Sequence, residues 1–188
     1  MFLRTFSTAL LTVLLTGCVA LSTPELEQSW QGRFSVTAQS ELKNENHSGR
    51  FSLTRSGTEL TVLDLKTSLG NTIARITQTP GEVSLESVGA STIHANNAED
   101  LLIQTLGFSV PIDGLQFWID GAVIPGIESV TDPSAPPYKH IKQNGWIIDF
   151  ESYDANGFPK RIKLLRDSSD QAPMISIILL ISHRDHVS

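Results

Sequence analysis

Between residues 32 and 88 the chain repeatedly sets an apolar side chain at every second position and breaks the pattern with turn dipeptides. In residues 32–39, Phe34, Val36 and Ala38 share one face, while Arg33, Ser35, Thr37 and Gln39 share the other. A strand turns successive side chains to opposite faces, so this stretch describes a strand with one dry and one wet side. Polar residues 41–48 read as a hairpin connection, residues 49–55 alternate again, and Ser56-Gly57 marks the next turn. A third strand over 58–66 is less clean. Leu60 and Val62 fall on one face and Leu63 and Leu65 on the other, as between a cavity and a lid. Strands over 71–78 and 82–88 follow, separated by Pro80-Gly81. Short strands at this spacing, with turn signals between them, indicate an antiparallel sandwich or barrel rather than parallel βαβ units.

The period then changes. Over residues 97–107, Asn97 is placed to cap a helix, Glu99 and Asp100 fall in the first turn, and Gly107 stops it. Leu102 and Leu106 stand four apart with Leu101 beside them, which makes a short amphipathic helix. A second helix over 112–119 follows Pro111 and brings Leu115 and Trp118 to one side. A loop rich in Pro and Gly, residues 125–137, leaves room for one short strand. Strands resume at Tyr138. Residues 145–151 turn Trp146, Ile148 and Phe150 inward, Asn156-Gly157 makes a turn, and residues 160–166 and 175–181 complete the set. The tail from His183 reads as polar. No internal repeat or low-complexity tract interrupts this order.

Ahead of the strands, Arg4 precedes an apolar run over residues 6–15. At about 20 residues for a spanning helix the run is too short to cross a bilayer, but it suits the h-region of a secretory signal. It ends in Leu15-Thr16-Gly17-Cys18, which contains the only cysteine and resembles the lipobox of bacterial lipoproteins. The resemblance implies a diacylglyceryl group on the Cys18 sulfur, cleavage before Cys18 and acylation of the new amino terminus. An ordinary secretory signal, or a buried apolar helix with an incidental cysteine, is the alternative. On the lipobox reading residues 1–17 are a signal peptide, 18–29 a tether containing Pro24, and 30–188 a single domain. Each buried methylene contributes about 0.8 kcal/mol, so three acyl chains would hold the domain at a membrane for good. Val19 stands where lipoprotein sorting places the aspartate that retains a protein in the inner membrane. The expected location is therefore the outer membrane, lipid-anchored and facing the periplasm.

Lys and Arg number 14 against 20 Asp and Glu, a formal charge of −6, and removal of Arg4 makes the balance more negative still. That argues against nucleic acid or anionic lipid headgroups as bulk partners. An acylated Cys18 leaves no thiol for a disulfide, so packing alone must hold the core. The histidines, His47, His94, His140, His183 and His186, are scattered, and neither a G-x-S-x-G elbow nor a nucleotide-binding P-loop occurs. His183, Asp185 and His186 could be drawn together as metal ligands, but at the polar end of the chain they read as a solvated tail. Asp149 and Glu151, two apart, read as the wet side of a strand. No catalysis, cofactor or metal is expected.

Several stretches in this order resemble one family, the outer-membrane lipoprotein receptor LolB of the lipoprotein-localisation pathway. They are Trp30-Gln31-Gly32-Arg33-Phe34, Ser48-Gly49-Arg50-Phe51, Ser68-Leu69-Gly70 and Ala98-Glu99-Asp100-Leu101-Leu102. Leu106-Gly107-Phe108 with Val110-Pro111, Gly114-Leu115-Gln116-Phe117-Trp118 ending at Gly121, and Gln143-Asn144-Gly145-Trp146 leading to Tyr153 and Pro159 follow. The chain departs from the family at its end, where Ser182-His183 replaces a tryptophan. The resemblance implies an unclosed antiparallel β-barrel of about eleven strands, mainly β, with a short helical lid over an apolar cavity. It also implies a monomeric receptor that takes triacylated lipoproteins from the periplasmic carrier LolA and passes them into outer-membrane lipid.

On that reading Phe34, Val36, Phe51, Leu53, Trp146 and Ile148 line the hollow, and Leu102, Leu106 and Trp118 face them from the lid. Periodicity alone does not distinguish a hollow interior from a filled one. Leu69, flanked by Thr67, Ser68, Gly70 and Asn71, matches a family loop that presents a bare apolar side chain to the membrane; the other reading tucks it back on the barrel. A lipocalin-like lipoprotein that binds a small amphiphile without handing it on, or a structural envelope lipoprotein, are the competing classes.

Overall fold

The computed structural model describes residues 27–40, 43–106, 111–169 and 172–186. Among the described residues, eleven strands form one antiparallel sheet: β1 (Glu27–Gln39), β2 (Asn44–Ser56), β3 (Leu60–Lys66), β4 (Thr72–Thr79), β5 (Glu82–Ser87), β6 (Ile93–Ala95), β7 (Ser129–Asp132), β8 (His140–Gln143), β9 (Trp146–Tyr153), β10 (Pro159–Arg166) and β11 (Met174–His186). Their spatial order is β6-β5-β4-β3-β2-β1-β11-β10-β9-β8-β7. The two edges, β6 and β7, do not pair with each other, so the barrel stays unclosed. Two helices, α1 (Ala98–Leu106) and α2 (Ile112–Trp118), lie in the sequence between those edges. The chain must therefore carry its helices from one free edge to the other, where they cover the opening. The expected mainly β, unclosed barrel with a short helical lid is met.

β1 is the axis of the sheet, because it pairs along its whole length with β2 on one side and β11 on the other. Its alternation becomes burial: Trp30, Phe34, Val36 and Ala38 turn to the face that meets the helices. Those helices supply Ala98, Leu101, Leu102, Ile112, Leu115 and Trp118 to the same core. Each full burial of a large apolar side chain contributes about 1.5–3 kcal/mol. Asn97 caps α1 as the sequence suggests: the Asp100 amide donates to Asn97 Oδ1 at 2.8 Å, and Asn97 Nδ2 donates to the Asp100 carboxylate at 2.7 Å. Gly114 makes room for the Trp118 ring one turn on, since a β-carbon there would stand 2.4 Å from it. Asn144 and Gly145, both at positive φ, form the tight turn between β8 and β9 that an Asn-Gly pair favours.

Several boundaries differ from the sequence reading. Residues 27–29, expected in the tether, already belong to β1 and pair with β2. The polar connection at 41–48 is mostly strand, because β2 begins at Asn44 and keeps register with β1, with Thr37 Oγ1 bonded to Asn46 Oδ1 at 2.9 Å. Backbone pairing extends the hairpin where no apolar alternation advertises it. The short edge strand β6 carried too few residues for a pattern. The tail from His183 is not a solvated end: β11 runs on to His186 and pairs with β1. A bulge between Gln31 and Gly32 leaves Ser182 as the extra residue, its hydroxyl bonded to the Gln31 carbonyl at 3.1 Å. That insertion reverses the parity of the strand, so Arg184, opposite Trp30, turns inward and is nearly buried.

Arg184 then ties the end of α2 to the sheet. It donates to the Ile119 carbonyl at 2.8 Å, the Pro159 carbonyl at 3.2 Å and Asp120 Oδ1 at 3.1 Å, while Trp30 Nε1 donates to the same carboxylate oxygen at 2.8 Å. Buried Gln143 anchors the following loop. Its carbonyl accepts from Trp118 Nε1 and the Ile124 amide, and its amide donates to the Ile124 and Ile127 carbonyls. Every polar atom of that side chain is satisfied, which is what burial of an amide requires.

Candidate lipid-binding cavity and exposed tip

Between the sheet and the helices lies a cavity of about 600 Å³. Its wall is built from inward positions of β1 to β5, from β10 and β11, and from Leu102, Pro111 and Leu115 of the helical segment. Among the described residues, only His47 and Ser87 interrupt an otherwise apolar lining. Ile73 and Ile93 stand at its open side, 43% and 39% exposed. Ile73 reaches the rim because a bulge between Leu65 and Lys66 re-aims it, one of the uses of such an insertion. A space of this size and polarity accommodates an apolar chain.

Of the nine residues expected to line the hollow, Phe34, Val36, Phe51 and Leu102 do so. Leu53, Trp118, Trp146 and Ile148 do not: all four are buried in the solid part of the core, where aromatic bulk leaves no space. The Leu106 side chain, and Cys18 with all of residues 1–26, lie outside the described residues. The lining that sequence reasoning passed over includes Leu63, Leu65, Ala74, Ile76, Leu85, Leu164, Ile177 and Leu179. The inward alternation of β3 and β11 held the signal for several of these, but apolar residues on both faces of those strands obscured it.

Leu69 is 91% exposed at the tip of the β3–β4 hairpin. The turn holds its shape without that side chain. The Thr67 amide donates to the Asn71 carbonyl at 2.8 Å, the Gly70 amide to the Thr67 carbonyl at 2.9 Å, and the Asn71 amide to Thr67 Oγ1 at 3.2 Å. In this structure Leu69 does not pack back on the barrel. Behind the tip, Asp64 and Arg75 face each other across β3 and β4, with Arg75 Nε and Nη2 donating to the two carboxylate oxygens at 2.6 and 3.0 Å. This two-pronged bond stiffens the hairpin and holds the Asp64 carboxyl below the usual carboxylate range. Val88, 80% exposed on the next turn, has its amide bonded to the Ile73 carbonyl at 3.4 Å and adds a second bare apolar side chain at this end.

The family model for the outer membrane lipoprotein LolB matches residues 27–183. Curated relatives carry the same description. The protein of Thiobacillus denitrificans is 31% identical over 180 residues, covering 85% of this chain and 93% of that one. That of Bordetella parapertussis is 29% identical over 186 residues, covering 95% and 92%, and that of Cupriavidus metallidurans is 28% identical over 161 residues, covering 81% and 78%. A solved LolA superfamily protein from Nitrosomonas europaea aligns over 85% of this chain and 86% of its own, with a TM-score of 0.45 and 10% identity. Because the family match runs from the first described strand into the last, the chain belongs to the outer-membrane lipoprotein LolB family.

Proposed function

We propose that this protein is an outer-membrane-anchored receptor that accepts lipoproteins from the periplasmic carrier LolA and inserts them into the outer membrane. The observation that carries the reading is the pairing of an apolar, helix-roofed cavity with a bare leucine at the tip of a stiff hairpin beside its mouth. An acyl chain left in water forgoes about 0.8 kcal/mol per methylene, so the cargo must travel in a hollow and leave it only at a lipid surface. The cavity serves the first need. Leu69 serves the second, by entering the headgroup region and bringing the mouth to the bilayer.

Cys18, triacylated, would hold the domain at that surface through the residues ahead of β1. Glu27 starts β1 at the end of the sheet opposite Leu69, as the strand registers show. The nine residues from Cys18 to Glu27 reach roughly 30 Å when extended. Nine residues also separate the Leu60 level, beside the start of β1, from Leu69, so an extended tether would let anchor and tip meet one membrane together.

The test uses the full chain with Cys18→Ala, mixed with LolA loaded with a lipoprotein and then with liposomes. Cargo should move from the carrier to this chain and on to the liposomes. Leu69→Glu should retain acceptance and lose delivery, and unchanged delivery would sink the role of the tip. Binding of free fatty acid without any movement of lipoprotein would favour an amphiphile-binding pocket instead.

A further inference from the structure

The outer face of the sheet, away from the helices, holds a second hollow of about 380 Å³. It is lined by Arg33, Ser35, Ser48, Arg50 and Ser68, with Ile178 and Leu180 as its apolar side. Arg33 and Arg50 stand directly opposite each other on β1 and β2, and Lys66 stands opposite Arg50 on β3. Like charges in directly opposed positions destabilise a sheet. Neither arginine has an ion pair or hydrogen bond among the described residues. Lys66 Nζ donates to Ser52 Oγ on the neighbouring β2 at 3.1 Å, with the Asp64 carboxylate at 4.0 Å. Three acids on this face are occupied, Asp64 by Arg75, Glu151 by Arg161 and Asp149 by His140, and Glu86 stands beyond Arg75 on β5, three strands from Arg50. In a chain of charge −6, a row of cations with two unpaired members is a local reversal of sign.

The place of this row adds a second argument. Ser68 belongs both to the hollow and to the turn that presents Leu69. The Arg50–Lys66 level lies three residues from Leu69, roughly 10 Å along a strand. A side chain seated at the headgroup–acyl boundary lies about 5–10 Å deep, which puts the cations at the level of the lipid phosphates. We infer that Arg33 and Arg50, with Lys66 and the hydroxyls of Ser35, Ser48 and Ser68, form a docking site for the phosphate headgroups of anionic phospholipids, which sets the tip on the bilayer. The inference rests on the membrane-facing role of Leu69. It refines the expectation from bulk charge: the chain as a whole repels anionic lipid, but this one face attracts it.

The experiment measures binding of the Cys18→Ala chain to phosphatidylcholine vesicles with and without phosphatidylglycerol. Phosphatidylglycerol should strengthen binding, and salt should remove the gain. Arg33→Gln with Arg50→Gln should abolish roughly thirtyfold of it, from about fivefold per cation near an anionic surface. Arg33→Lys with Arg50→Lys should keep most of it, which separates charge from misfolding. A double glutamine variant that retains the full gain overturns the site. So does one that loses affinity for the carrier LolA while keeping the lipid gain, because the cations would then serve a protein partner. Leu69→Glu reports separately: if it leaves delivery intact, the tip reading fails, whereas the phosphatidylglycerol gain tests the cations alone.

Discussion

The two halves of the sheet share one alternating pattern yet end differently, one hollow and one filled. On the side of β3 to β5, Leu63, Leu65, Ala74, Ile76, Leu85 and Ser87 line a hollow, and space remains between them and Leu102 and Leu115. On the side of β8 to β10, Ile141, Trp146, Ile148, Phe150 and Ile162 meet Trp118, Ile119 and Ile124, and none of these lines the cavity; Leu164 of β10, next to β11, is the exception. Side-chain bulk and anchoring make the difference. Trp118 is seated by Gly114, held by Gln143 and followed by a carboxylate clamped to Trp30 and Arg184. A hollow can persist in a protein of this size only if the opposite half supplies the stability that the empty half forgoes.

Trp118→Ala should therefore have the largest effect, about 3–5 kcal/mol in urea unfolding of the Cys18→Ala chain. A loss under about 1 kcal/mol would mean that the filled half does not hold the fold. A second experiment adds bulk instead of removing it. Leu65→Trp, into the hollow, should cost less than about 1 kcal/mol while lowering uptake of a fluorescent fatty acid, whereas Ile148→Trp should cost about 1–3 kcal/mol, as overpacking does in a close-packed core. Equal costs at the two sites would erase the distinction between the halves.

The smallest effect concerns the hairpin that carries the tip. The Asp64 carboxyl is held below its ordinary range in the folded state by Arg75, so the pair contributes stability above the unfolded carboxylate range and loses it as pH falls through the lower folded value. Asp64→Asn should cost on the order of 1 kcal/mol at neutral pH, discounted for the half-exposed guanidinium, and the difference from wild type should vanish in acid. A difference that persists in acid would assign the effect to packing. Leu69 delivery, measured in parallel, shows whether stiffness of the hairpin matters to the tip.

Much of this architecture was legible in the residues. Alternation placed most of the longer strands, Asn97 placed the start of α1, and the Ser68-Leu69-Gly70 stretch marked the tip. What stayed illegible has physical causes. The first half of β2 is polar because a hairpin is held by its backbone, and backbone hydrogen bonds leave no trace in hydropathy. Arg184 looked like part of a solvated tail because a one-residue bulge at Ser182, invisible in composition, turned it inward. Arg33, Arg50 and Lys66 are 17 and 16 residues apart in the chain and look unrelated until register sets them side by side.

By itself the sequence determined the strand period, the helix starts and the family pattern, because each depends on neighbours within a few positions; whether Leu69 stood bare or tucked back was left to the fold. The tertiary structure alone decided which inward residues face empty space. Leu53 and Phe51 have the same parity on one strand, yet one is sealed in the core and the other lines the cavity. Period two states only which side of a sheet a residue takes; whether that side is full depends on the volumes of side chains brought from distant strands and from the lid.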